Sequence, residues 1–351
     1  MPLGLAGVIR HSMVGECDKI LKYLWPMITI VVLALQNAVA ASIADTCRVF
    51  HQVNEFLVQA EKKPLFSIKI AGLSKELKLS DGVFTIHADI LIDEVRSPNL
   101  IIIPAMTGDM MTATHVNRDY AGWIAQQYKE GTEVASLCVG AFLLAFSGVL
   151  KGKQCTTHWA YANEFRHFYP SVKLVDEKVI TDQHGLYSSG GNNAYWNLLL
   201  YLVEKHTNRK MAILTAKYFV VELNRNNQSP FIVFQGLKDH EDDVILKAQE
   251  YVEQHYQDKF VVDQLADRFN VTRRTFERRF KKATRHTVVE YVQHVKVEAT
   301  KRQLELGRKS INEIMHEVGY TDVQTYREVF RKITGMTPVD YRTKFNRDAR
   351  E

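Results

Sequence analysis

Two stretches of this chain carry residue types that could do chemistry. The first is Glu133-Val-Ala-Ser-Leu-Cys138-Val139-Gly140, an apolar run that leads straight into a helical one with a thiol at the junction. A strand that turns sharply into a helix lifts one side chain above the sheet, the arrangement of a nucleophile elbow. A thiol at a helix N-terminus feels the positive end of the helix dipole, so its pKa is expected to fall and its reactive thiolate to become accessible. Downstream, Thr156-Thr157-His158-Trp159 supplies an imidazole that can lie beside Cys138. The competing readings are a buried, inert cysteine and a core histidine bonded to backbone.

The second stretch is residues 268–302, where eleven Lys and Arg stand against three acids, Glu277, Glu290 and Glu298. An excess of positive charge on so short a segment is an electrostatic footprint for a polyanion. The alternative is a solvated helix face, where most charge runs end up. The net charge of the whole chain is only +5, so distribution carries more information than total.

These residues must be held by elements. The 351 residues are 46% hydrophobic and 24% charged, which excludes disordered and fibrous classes and suggests two domains. Four scattered cysteines (Cys17, Cys47, Cys138, Cys155) form neither a disulfide framework nor a CxxC zinc pair, and are expected as reduced thiols in the cytoplasm. No metal or cofactor is expected. Residues 24–44 are uncharged and superficially resemble a signal peptide, but the dense part, Ile28–Leu35, is short and β-branched, as a buried parallel strand would be. Strand-like runs then alternate with helical ones: a helical stretch to Ala60, strands at Ser67–Ala71, Val83–Ile92 and Leu100–Pro104, a loop at Ala105–Met111, and a strand at Thr132–Cys138. Such alternation predicts a parallel sheet covered by helices, with ligands beyond the carboxyl ends of the strands.

The elbow, the Gly-Val-Leu-Lys-Gly that follows it, Thr-Thr-His158-Trp, and Ser188-Ser-Gly190-Gly191 together resemble the class I glutamine-amidotransferase-like, PfpI-type domain, over roughly 26–225. That superfamily contains hydrolases and also sensor domains of transcription regulators. The resemblance implies an α/β parallel-sheet sandwich with a ligand pocket at Asn37, Gly108, Cys138, Val139, His158 and Gly190. A complete catalytic set is missing from this copy. Enzymes of the superfamily place a carboxylate in the loop after the first strand, yet Ala34–Ala44 contains none and the first acid is Asp45. Position 139, a histidine in the proteases, is Val, and Asn197 stands where the sensor members carry an acid. The expectation is therefore a non-catalytic domain that binds a small effector; the rivals are a cysteine-dependent amidohydrolase or deglycase, and a bare dimerisation scaffold.

An internal repeat organises the C-terminal part. Val262–Thr272 aligns with Ile311–Thr321 at an offset of 49, and one residue later Phe276 matches Tyr326, Phe280 matches Phe330 and Lys282 matches Lys332. Each copy predicts helix-turn-helix: a short apolar helix, then Asn270 or Gly319 in a left-handed turn, then a second helix capped by Thr272 or Thr321–Asp322. Val288, Val292, Val295 and Ala299 mark one long helix between the copies, ending near Gly307, and Gly335-Met-Thr337-Pro338 stops one helix and starts another.

This segment, through Gly319-Tyr, Phe330-Arg-Lys, Gly335-Met-Thr-Pro338 and Tyr341-Arg342, is identified as a member of the AraC/XylS family of DNA-binding domains. The resemblance implies an all-α domain of seven helices, a double helix-turn-helix whose recognition helices enter successive major grooves. It places Arg274, Glu277 and Arg278 on base edges from the first helix and Val323, Gln324 and Arg327 from the second. Lys281, Lys282 and Lys332 are expected against the phosphates, and Arg273 is counted among the DNA-binding residues without a more specific role. The usual arginine after Arg327 is here Glu328. The organisation expected is an extension (1–25), an amidotransferase-like domain (26–225), a linker (226–240), a DNA-binding domain (241–345) and a tail (346–351). The partners expected are double-stranded promoter DNA, RNA polymerase, a small-molecule effector and a second copy through the N-terminal domain, with no membrane.

Overall fold

A computed structural model describes residues 27–79, 82–223 and 227–346. The N-terminal extension, Cys17 and the tail beyond Asn346 lie outside the described residues. The chain divides into two compact units, one running to Asn226 and the other from Asn227, the latter also taking in Trp159–Glu164 and Asp176–Lys178.

The first unit is built on β1 (Ile28–Leu33), β2 (Phe66–Gly72), the hairpin β3 (Glu76–Leu79) and β4 (Phe84–His87), β5 (Ile90–Leu91), β6 (Leu100–Ile103), β7 (Glu133–Ser136), the short pair β8 (Gln154–Cys155) and β9 (Lys173–Leu174), β10 (Ile180–Gln183) and β11 (Leu186–Ser189). The main sheet has the order β10-β11-β7-β6-β1-β2-β5. Every pairing in it is parallel except β10 with β11 at the edge. Ile30–Leu33 and Leu100–Ile103 are fully buried, as continuous apolar strands covered on both faces must be. Helices Ala40–Gln59, Tyr195–His206 and Arg209–Phe219 pack together, and a second group comprises Met110–Val116, Asp119–Lys129 and Ala141–Phe146. The α/β sandwich expected from the alternation is the fold.

Val83–Ile92, expected as one strand, is two. Ala88-Asp89 breaks it, because the Asp89 carboxylate and backbone both pair with Ile70: Ile70 N–H donates to Asp89 Oδ2 at 2.8 Å and Asp89 N–H to Ile70 O at 2.9 Å. A carboxylate taking a ladder position ends β4 and starts β5.

The second unit holds seven α-helices among the described residues: Asp243–Gln254, Val262–Arg268, Arg273–Thr284, Val288–Leu306, Ile311–Glu317, Val323–Thr334 and Pro338–Phe345. Their ends are specified by side chains. Asp242, Thr287, Ser310, Asp322 and Thr337 each accept from a first-turn amide. Thr272 stands at the cap position but donates to Thr275 Oγ1 at 3.0 Å. Asn270 (φ 53°) and Gly319 (φ 77°) occupy the left-handed turn positions, and Gly307 and Gly335 close helices in the same conformation. Each helix-turn-helix copy buries its own aromatic pair, Phe276 and Phe280 in one, Tyr326 and Phe330 in the other.

The stretch 226–240, expected as a polar linker, is from Asn227 onward packed on the helices of this unit. The polar composition hid Phe231, Ile232 and Phe234, whose apolar surface is better removed from water than left along a tether.

Candidate nucleic-acid interface and sheet-end pocket

The two second helices of the repeat, Arg273–Thr284 and Val323–Thr334, present the side chains expected to read DNA. Arg273, Arg274, Glu277, Arg278, Lys281 and Lys282 are all exposed on the first, and Val323, Gln324, Arg327 and Lys332 on the second. The apolar stripe of each helix faces inward, which forces the charged stripe outward. Within that stripe some groups are already engaged. Arg273 pairs with Asp263 at 2.9 Å and with Glu277 at 3.3 Å. Gln324 Nε2 donates to Glu328 Oε1 at 2.9 Å, so the acid at 328 orients a neighbouring amide.

The raw count of positive charge overstates the outward-facing surface. Arg279 donates twice to Asp242, and those bonds hold the Asp242 carboxyl below its ordinary range. Lys296 turns inward, donating to Asp258 O at 3.1 Å and Val318 O at 2.8 Å, and burial lowers its pKa. Lys301 is 5% exposed and pairs with Glu298. No feature of the sequence separates these inward cations from their outward neighbours except their register on the apolar stripe.

In the first unit the expected pocket residues lie in loops at the carboxyl ends of parallel strands. Asn37, after β1, has φ 60°, and its carbonyl accepts from Thr107 N–H beside Gly108, after β6. Both are exposed. Cys138 and Val139, after β7, and Gly190, after β11, are buried. Cys138 has φ 55°, the strained backbone of an elbow. It is held by Ser189 Oγ, which accepts its N–H at 3.0 Å, and by Thr157 Oγ1, which donates to its carbonyl at 3.2 Å. Gly140 is required here: a Cβ would fall 2.6 Å from Pro104 O and 2.9 Å from Ile103 O, both backbone atoms.

The chemistry of the thiol corrects the sequence expectation. Burial pushes Cys138 up to about 12, not down. A helix dipole is worth about 0.3–1 kcal/mol, while each tenfold in acidity is worth about 1.4 kcal/mol, so desolvation wins. His158, next to Thr157, is half-buried, and desolvation lowers its pKa. A thiolate–imidazolium pair needs the opposite shifts in both partners. Two further residues had no role in the sequence reading. Asp45, the first acid after β1, lies in the following helix, accepts from Tyr195 Oη at 2.7 Å and pairs with Arg48 at 3.0 Å. Burial and Asp45 raise the Tyr195 phenol, which also feels the Cys138 thiol. The Ser188-Ser189 motif was visible in the sequence, but its role as an anchor of the elbow was not.

A cavity of about 640 Å³ opens at the other, amino-terminal end of the sheet, lined by Ile28, Asn99, Glu133, Lys205 and His206 among others. It contains none of the expected pocket residues. Among the described residues no cluster of His, Cys, Asp and Glu could hold a metal ion, and no helix is long and apolar enough to cross a membrane.

Comparison with known proteins covers both units. Residues 51–205 match the DJ-1/PfpI family and residues 265–344 match a helix-turn-helix domain. The chain is 25% identical over 317 residues to the HTH-type transcriptional regulator GbdR of Pseudomonas aeruginosa, covering 88% of this chain and 83% of that one. It is 23% identical over 222 residues to the HTH-type transcriptional regulator ArgR of the same species, covering 63% and 67%. Its C-terminal part is 32% identical over 101 residues to the xylose operon regulatory protein of Escherichia coli, covering 29% of this chain and 26% of that one. A transcriptional regulator protein of Vibrio parahaemolyticus shares the fold over 55% of this chain and 99% of its own, with a TM-score of 0.50 and 19% identity. The chain is a DNA-binding transcription regulator that joins a DJ-1/PfpI domain to an AraC-type helix-turn-helix domain.

Proposed function

We propose that this regulator reads a promoter with two recognition helices and takes its signal from a small effector held at the carboxyl end of the first unit's sheet. Arg274, Glu277 and Arg278 approach base edges from one helix, and Val323, Gln324 and Arg327 from the other. Arg to guanine and Gln to adenine are the pairings that groove geometry favours. Arg273, Lys281, Lys282 and Lys332 hold phosphates. The observation that carries this is the repeated outward stripe on two amphipathic helices whose inward faces are closed by Phe276, Phe280, Tyr326 and Phe330. The protein works in the cytoplasm, where its promoter and RNA polymerase are, and pairs with a second copy through the first unit.

The effector pocket is formed by Asn37, Gly108, Cys138, Val139, His158 and Gly190 and does no chemistry. The raised thiol and lowered imidazole support binding over turnover. Cys138-dependent hydrolysis of amides by the purified protein, absent in Cys138→Ala, would overturn that.

The test of DNA reading is selection of duplexes from a random pool by the full chain, followed by binding of the Arg278→Ala variant. Loss of a bidentate base contact costs about 1–3 kcal/mol and relaxes preference at one position. Unchanged affinity and preference would remove Arg278 from the interface.

A further inference from the structure

The chain between the two units crosses the whole DNA-binding unit before its first helix begins. At its start, Asn227 lies against Gly335, the closing residue of the second recognition helix; a Cβ on Gly335 would stand 2.9 Å from Asn227 Nδ2. Phe231 then meets Phe345 of the last helix edge-on at 5.5 Å, with Lys344 over its ring. Next the chain is gripped by the long spacer helix. Lys301 donates to Ile232 O, and Glu298 Oε2 accepts from Phe234 N–H at 3.2 Å. The two gripping side chains are themselves paired at 3.0 Å and are 5% and 9% exposed. Phe234 stacks on His294 at 4.7 Å and meets Tyr291 edge-on at 5.2 Å. Gly236 passes so close to Tyr291 that a Cβ would fall 2.3 Å from its hydroxyl, and its φ is 67°. Leu237 O accepts from the fully buried Gln249. Finally Asp242 caps the first helix and takes both hydrogen bonds from Arg279 of the first recognition helix.

One continuous stretch therefore touches the end of one recognition helix and is bonded to the body of the other. Two charges taken from water need hydrogen bonds to be stable, and the backbone of this stretch supplies one to each member of the buried pair. From this we propose that residues 227–242 are a strut that fixes the spacing of the two recognition helices, with Glu298 and Lys301 as the positioning residues that hold it. The inference deepens the DNA-binding reading and rests on it.

A rigid pair of readers tolerates no change in the distance between the two sequence elements it contacts, because each added base pair rotates and shifts one element relative to the other. The experiment uses the full chain and the duplex it selects from a random pool, then the same duplex with one or two base pairs inserted between its two protected elements. The native chain is expected to lose affinity on insertion by about tenfold or more, the scale of a mismatched site. Phe234→Ala, Gly236→Ala and Glu298→Gln are expected to weaken binding to the selected duplex while shrinking the insertion penalty to about threefold or less. Lys301→Arg, which keeps the charge and donors, is expected to retain the native penalty. Loss of folding alone lowers affinity for all duplexes equally and leaves the ratio untouched, so the ratio isolates the strut. If folded variants (cooperative thermal transitions) keep the native insertion penalty, the strut has no positioning role. If the native chain enriches no duplex at all, the DNA-binding reading fails first and the strut with it.

Discussion

Cys138 shows how one side chain can have the address of a nucleophile without its chemistry. The turn, the positive φ and the required glycine at 140 are those of an elbow. The thiol is nevertheless 4% exposed, and nothing within the described geometry compensates a buried negative charge well enough to keep it ionised. Because its pKa is raised, Cys138 stays protonated throughout the neutral range, and its alkylation by iodoacetamide is expected to be slow and to keep rising about tenfold per pH unit between about pH 6 and pH 9 without levelling off. Peptide mapping by mass spectrometry after short exposures checks this. A labelling rate that climbs and then levels off by about pH 7–8 would mean the dipole outweighs burial after all. At the same scale, Lys296 and Lys301 show that a cation in a basic run is not automatically a DNA ligand. Both are committed to backbone carbonyls inside the fold.

At the scale of elements, the repeat is built from the same parts with different tolerances at its two turns. Asn270 has φ 53° and is exposed, so Gly in its place only relieves backbone strain. Gly319 has φ 77°, and a Cβ there would meet Gln257 O at 2.0 Å and Lys296 Nζ at 2.7 Å. Gly319→Ala is expected to cost about 2–4 kcal/mol, from left-handed strain plus overpacking against backbone, while Asn270→Gly stays within about 1 kcal/mol of the native protein. Thermal melts of the two variants in parallel check the contrast; equal effects would place the two turns in equivalent surroundings. The difference arises because the second turn abuts the loop before helix Val262–Arg268 through Lys296 and the first does not.

For the whole molecule, net charge says little about binding, since the +5 of the chain is spread and partly internal. On the proposed reading, what matters is how many phosphates Lys281, Lys282, Lys332 and Arg273 meet. Binding is expected to fall linearly in log affinity against log salt, with a slope of about −0.9 per phosphate neutralised. Lys282→Ala should shallow that slope by about one unit on any duplex, whereas Arg278→Ala should act on one base position. Titrations at several salt concentrations check this; an unchanged slope removes Lys282 from the backbone contacts.

Much of this was legible in the residues themselves. Continuous apolar runs such as Leu100–Ile103 demand burial on both faces, and the offset repeat with Asn270 and Gly319 at matched positions demands two like turns. Periodicity, caps and left-handed turns are local effects, and the chain states them directly. Other features depended on what comes near from far away. Only the folded chain decided that Cys138 is desolvated, that Lys296 and Lys301 point inward, that Asp45 meets Tyr195, and that the polar stretch after Asn227 lies on the spacer helix. Burial and long-range pairing are set by neighbours distant in sequence, and a side chain's charge state follows them and not its own local pattern.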